Sequence, residues 1–266
     1  MSTGPAVSAN VLEVAAFGDR PDTWPLPPAA GRREVWLRAV AAGGQGRYAC
    51  ALTELHRLTR RPALDAPASL AASTHASFLR QLGWHDRARV WDGRAAALAT
   101  TAEAEADALL GLAADALGVG RFAASARALE LAADAVAASD APRSAVRLAW
   151  VSAELAMFQG DGGEAVGHAE RGVRLAADLP SVRHAVKSQV VLAAALCSRG
   201  DLVQARREGS DAVRRAGRHG LLPLQWAAAS LLADIGADDC SPAQIRDLRD
   251  TAAQTVTRWG GVWRPR

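Results

Sequence analysis

The sequence predicts an all-α chain built from about six copies of one helical hairpin, and three observations carry that expectation. Gly46, Gly83, Gly120, Gly160, Gly200 and Gly236 recur at intervals of 36 to 40 residues. Small residues keep fixed offsets from them. Seven before stand Ala39, Ala76, Ala113, Ala153, Ala193 and Ala229; five after stand Ala51, Ala88, Ser125, Ala165, Ala205 and Ser241; twelve after stand Leu58, Ala95, Ala132, Gly172, Ala212 and Leu248. Half of the 266 residues are hydrophobic but only 5% are aromatic, which suits closely packed helices with a core of Ala, Leu and Val. A period of this length marks a unit that buries its apolar face only against neighbouring copies.

Taken in order, residues 1–32 read as a Pro-rich, largely disordered arm. Within 18–33, Pro21, Pro25, Pro27 and Pro28 each remove a donor and restrict the preceding residue. Residues 11–17 have room for one or two helical turns, and the arm reads either as docked on the body by Trp24 or as a mobile tail in which that Trp is incidental. Helical spacing then predicts first helices over 33–44, 68–81, 102–117, 143–158, 181–198 and 222–235. Second helices are expected over 47–60, 85–99, 121–138, 163–177, 201–218 and 242–258. A glycine between the two suits the left-handed residue at which helices commonly stop. Ser241, Pro242 and Gln244 read as an N-cap, a first-turn proline and a capping-box partner, while Asp161 and Asp201 stand where a carboxylate caps a helix. The longest unbroken apolar run, 190–196, is too short for a membrane span. Residues 259–266 form a tail. The N-terminus lacks a basic start and has Glu13 in its only apolar stretch, so no export signal is expected and the expectation is a cytoplasmic protein.

With these residues in place, the chain resembles the tetratricopeptide repeat family over residues 33–258. The family's turn aromatic is matched by Tyr48 and Phe122, replaced by His85 and Leu202, and missing at Gly162 and Asp238. Its helix-ending proline is matched at Pro62 and Pro180, and Ala stands where its first helix carries glycine. The resemblance implies a right-handed α-solenoid of six helix-turn-helix repeats. It also implies that the first helices line a concave groove for an extended peptide or a helix of a partner.

Catalytic and cofactor signatures are not found. The six histidines form no metal-ligand pair at helical spacing, and no GxSxG elbow, Walker A loop or Rossmann glycine loop occurs. Residues 160–163 are glycine-rich but follow a helix and have no lysine after them, so they read as a repeat turn. Cys50, Cys197 and Cys240 are odd in number and far apart, which argues for buried or half-buried thiols rather than a disulfide or zinc site. His75 and His85 read as partly buried, hydrogen-bonded imidazoles. No catalytic residue, metal or cofactor is therefore expected, and the chain reads as a non-enzyme.

Recognition remains. The net charge is +3, and its cations are thirty arginines and one lysine. The densest group, Arg206, Arg207, Arg214, Arg215 and Arg218, is interleaved with Glu208 and Asp211. It reads as a solvated face with an Asp211–Arg215 pair, or as a site for an acidic partner. Trp259 and Trp263, among arginines, read as a stacking surface for bases or as an end cap on the last repeat.

Measured from the turn glycines, the groove implied by the resemblance is lined by Arg33, Trp36, Arg80, Arg147, Trp150, Glu154, Lys187 and Trp226. Arg33, Arg147 and Lys187 share one register and should reach water; Trp36, Trp150 and Trp226 share another. Those tryptophans face the groove or, after a slip of one residue, pack between helices. A non-catalytic adaptor binding an acidic or acidic-hydrophobic segment of another protein is the leading expectation. A regulatory module acting in trans on a signalling or transcription regulator is the alternative, and arginine-mediated nucleic-acid binding is a second alternative. No membrane partner is expected, and self-association through an apolar end of the stack is compatible with the pattern.

Overall fold

The computed structural model describes residues 5–60 and 63–265, with side chains from residue 10 onward in the first helix. Pro62, read above as helix-ending, lies outside the described residues, as do 1–4 and 266. Among the described residues there are thirteen helices and no strand. A lone helix α1 (Pro5–Phe17) precedes α2 (Arg32–Gly44) with α3 (Tyr48–Thr59), α4 (Ala66–Gln81) with α5 (His85–Leu98), and α6 (Ala102–Gly118) with α7 (Phe122–Ala137). There follow α8 (Arg143–Gln159) with α9 (Gly162–Ala177), α10 (Val182–Arg199) with α11 (Leu202–Arg218), and α12 (Leu222–Ile235) with α13 (Pro242–Arg258). Each helix packs on the next, and α2, α4, α6, α8, α10 and α12 also pack on one another in series, as in a helical repeat. No described helix is long and apolar enough to cross a membrane.

The periodic small residues are the packing contacts. All six alanines seven before the turn glycines are 0% exposed, because there the first helix is crossed by its neighbours on two sides. Close approach has the same origin at Gly43, where an added Cβ would lie 2.1 Å from the Phe78 ring. The turn glycines adopt positive φ; Gly200, at +92°, caps α10 in the left-handed region, where a side chain would clash. Asp161 and Asp201 cap α9 and α11, and Ser241 forms the capping box with Gln244. The last pair departs from the rule at five after the glycine. Gly236 is extended in ψ and α13 starts only at Pro242, so Ser241 is an exposed cap instead of a buried spacer, and Ile245 fills the core.

The arm is the largest difference from the sequence reading. Where a largely disordered segment is expected, residues 10–31 are seated on the body. Helix α1 begins at Pro5, well before the one or two turns expected over 11–17, and buries Leu12, Ala15 and Ala16. Residues 18–31 are irregular, as four prolines require, but prolines remove donors and leave carbonyls. Buried Gln45 donates to the Pro21 and Thr23 carbonyls at 2.8 and 2.9 Å, and Arg38 donates to that of Leu26 at 2.9 Å. Trp24 lies over the Arg47 guanidinium, 4.1 Å from ring centroid to Cζ.

The two ends of the stack meet. The Ala49 amide donates to the Trp259 carbonyl, the Arg264 amide to the Leu82 carbonyl, and Trp84 Nε1 to the Val262 carbonyl at 2.7 Å. Val256 of α13 shares a core with Tyr48 and Ala39, and Arg47 is held between Trp24 and Trp259. The tail therefore caps the first pairs as well as the last.

Candidate functional site

Sequence position decides what each first helix turns toward its neighbour. Trp36 is 1% exposed and donates from Nε1 to Thr74 at 2.9 Å, 38 residues on; Trp150 donates to Ser188 at 2.8 Å, again 38 residues on. The tryptophan register is thus an inter-helix joint repeated at two places, with the indole N–H satisfied by a hydroxyl on the next first helix. Trp226 has no next first helix, and packs at a tilt against Trp263 of the tail, 4.4 Å between centroids. Of the two readings of these rings, packing between helices describes Trp36, while Trp150 remains half-buried.

The cations divide by depth. Arg33 is 56% exposed and pairs with Glu13 of α1 at 3.6 Å. Arg147 retains 19% exposure and pairs with Asp107; Lys187 retains 32% and pairs with Glu154 at 3.1 Å. Lys187 Nζ also lies 5.9 Å from the Trp150 ring centroid, so the cation beside that indole comes from the next helix rather than from Arg147 on its own. Arg80 is the deepest, bound by Asp92 and by Asp115 at 2.9 Å, both carboxylates fully buried. Burial and the nearby Asp115 carboxylate push the Asp92 pKa up, against the pull of Arg80.

Two residues that the sequence ruler missed join the group. Arg143 binds Asp107 and Glu103 at 2.9 and 2.8 Å. Burial opposes charge on Asp107, but Arg143 and Arg147 together outweigh it and hold its pKa below the ordinary value. Arg183 lies against Gly44, whose added Cβ would sit 3.2 Å from the arginine Cδ. Arg143 and Arg183 both stand seventeen before their turn glycines, one helical turn beyond the last register measured in the sequence.

The aromatic end of α1 sits among these groups. The Phe17 ring is 5.4 Å from Trp36 and 6.1 Å from His184, with the guanidinium carbons of Arg143 and Arg183 5.2 and 5.5 Å from its centroid. The Gly18 carbonyl accepts from the Val182 amide at 3.1 Å, satisfying a free N–H in the first turn of α10. His184 is 4% exposed, with Ser181 Oγ 2.7 Å from its Nδ1. Burial, followed by Arg183, Arg143 and Arg147, keeps its pKa far below the usual histidine range, so it is neutral.

Other sequence readings change in detail. Asp211 pairs with Arg214 rather than Arg215, which donates to Gln189. His75 stacks on Trp91 at 4.0 Å, and neither its Nδ1 nor that of His85 has a hydrogen-bond partner among the described residues. Cys50 is exposed; Cys197 and Cys240 are half-buried. No group of three His, Cys, Asp or Glu among the described residues could hold a metal ion. An open hollow of about 400 Å³ between α9, α10 and α11 is lined by Arg215 and Glu208 of the dense arginine group and by none of the groove candidates. Comparison of the chain with protein-family models and with curated proteins finds no match.

Proposed function

We propose that this chain is a non-catalytic adaptor of the cytoplasm, a right-handed solenoid of six tetratricopeptide-like pairs whose inner face binds an acidic-aromatic helical segment of another protein. One observation supports the reading: α1, with a carboxylate and an aromatic ring one turn apart, packs on the first helices α2 and α10. Helix α1 presents Glu13 to Arg33 and, one turn later, Phe17 to Trp36, His184, Arg143 and Arg183. Cations over aromatic faces and a carboxylate at i−4 together define a short helical motif. A partner with the same spacing replaces α1, so the arm acts as an internal competitor and sets the affinity threshold.

The test uses a labelled peptide copying residues 10–20 and the full-length chain. Phe17→Ala loosens α1, and the peptide should bind this variant at least about tenfold tighter than the unaltered chain, since each tenfold corresponds to about 1.4 kcal/mol of lost competition. A peptide with its glutamate reversed to arginine should bind more weakly. Equal or absent binding to both chains would overturn the reading.

A further inference from the structure

Two rows of charge run along the first helices. Seventeen before the turn glycines stand Glu103, Arg143 and Arg183 in α6, α8 and α10; thirteen before stand Asp107, Arg147 and Lys187. Bases in this arrangement reach back to acids on the preceding first helix. Arg143 bonds Glu103 and Asp107, Arg147 bonds Asp107, and Lys187 bonds Glu154. Arg183 has no such acid, because its preceding helix carries Arg143 and Arg147 at the matching positions.

The result is a half-buried guanidinium whose Nε is fully covered and which forms no ion pair among the described residues. Arg183 Nε is buried and has no hydrogen-bond partner among the described residues. The Phe17 ring lies 5.5 Å from its Cζ, and the end of α2 at Gly44 lies against its methylene stem. That helix end supplies about half a negative charge, which does not neutralise a full one. Burial, then Arg143 and Arg147, depress its pKa to about 10, so it stays protonated at neutral pH. Within the directly bonded group Arg143 and Arg147 meet Glu103 and Asp107, two cations to two anions, which leaves none of these carboxylates to pair with Arg183. A guanidinium presents Nε–H and one Nη–H as a fork that fits two oxygens of a carboxylate or phosphate group.

We propose that Arg183 binds a singly charged oxyanion, a carboxylate or a monoanionic phosphate, side-on through its Nε–H and Nη–H fork, and that the bound anion steadies the guanidinium face on which Phe17 of α1 stacks. The aromatic ring and the oxyanion use different parts of the group, face and edge, so both are held at once. Anion binding then tightens the seat of α1. No partner segment has to enter the groove for this, so failure of the peptide experiment and failure of the anion site are separate results.

The experiment follows the arginine Nε–Hε resonances of the full chain by NMR as sodium acetate is added, with inorganic phosphate in a parallel arm. Slightly acidic buffer keeps the phosphate mainly monoanionic, and sodium chloride holds ionic strength constant. The resonance missing from Arg183→Gln should move saturably in at least one arm, and the Phe17 amide should exchange more slowly with solvent in that arm. Movement with acetate alone identifies a carboxylate site, and movement with phosphate alone a phosphate site. Arg183→Lys keeps the charge without the fork and should bind at least about tenfold more weakly, the usual worth of a charge-assisted hydrogen bond; it also serves where the glutamine variant fails to fold. Absence of a saturable shift in both arms, an equal shift with chloride, or unchanged binding in Arg183→Lys would each overturn the proposal.

Discussion

Charge burial separates the ion pairs that hold this molecule together from those that stay in water. Arg80 lies between Asp92 and Asp115, all three largely out of water, and truncation would strand two carboxylates. Arg80→Ala should therefore cost about 3–5 kcal/mol in urea unfolding, whereas Arg33→Ala, at an exposed pair, should cost under about 1 kcal/mol. Burial and then His56 lower the His75 pKa from 6.5 to about 4. Between those values the unfolded chain binds a proton that the folded chain does not, so stability falls as pH drops through that window. His75→Gln should flatten the loss between pH 6.5 and pH 4 relative to the unaltered chain; unfolding midpoints at the two limits measure the difference, and parallel losses would contradict it. The sequence marks such residues only partly. Arg80 was legible as a first-helix cation, but its acids lie on α5 and α6, and no spacing rule connects three helices. Arg143 and Arg183 shared a register all along and were missed because the ruler stopped one turn short.

Helical elements were legible nearly to the residue, for a physical reason: a glycine turn, a capping side chain and a fully buried alanine all leave local marks. Each of the twelve expected first and second helices begins and ends within two residues of its observed limits. What the marks do not encode is which neighbour a helix meets. Trp36 and Trp150 share a joint with the following helix, whereas Trp226 finds Trp263 from the tail. Trp263→Ala removes that ring contact and the Trp263 Nε1 bond to the Ala253 carbonyl, and should cost about 2 kcal/mol. The amides of Ala49 and Arg264, which bond across the meeting ends, should then exchange faster while those of α6 to α9 do not change. Uniform acceleration along the chain would show that the ends do not open as a local unit.

Across the whole molecule, the first and last helix pairs meet and the N-terminal helix packs on α2 and α10. Neither follows from a repeat pattern, which describes contacts between successive units and says nothing about first and last. The arm was misread because proline content reports the absence of helix, not the absence of anchorage; Gln45 and Arg38, which hold its carbonyls, lie beyond it in the chain. Phe17 is the aromatic contact of the arm with α2, α8 and α10, where Arg143 and Arg183 flank its ring.

The most direct measurement is amide hydrogen exchange of the full-length Phe17→Ala chain with and without a saturating amount of the residue 10–20 peptide. If partner and arm share one seat, residues 12–17 lose protection when the peptide is present, while α2 to α13 keep theirs. Peptide binding that leaves α1 as protected as before would place the peptide elsewhere and contradict a common site on the inner face.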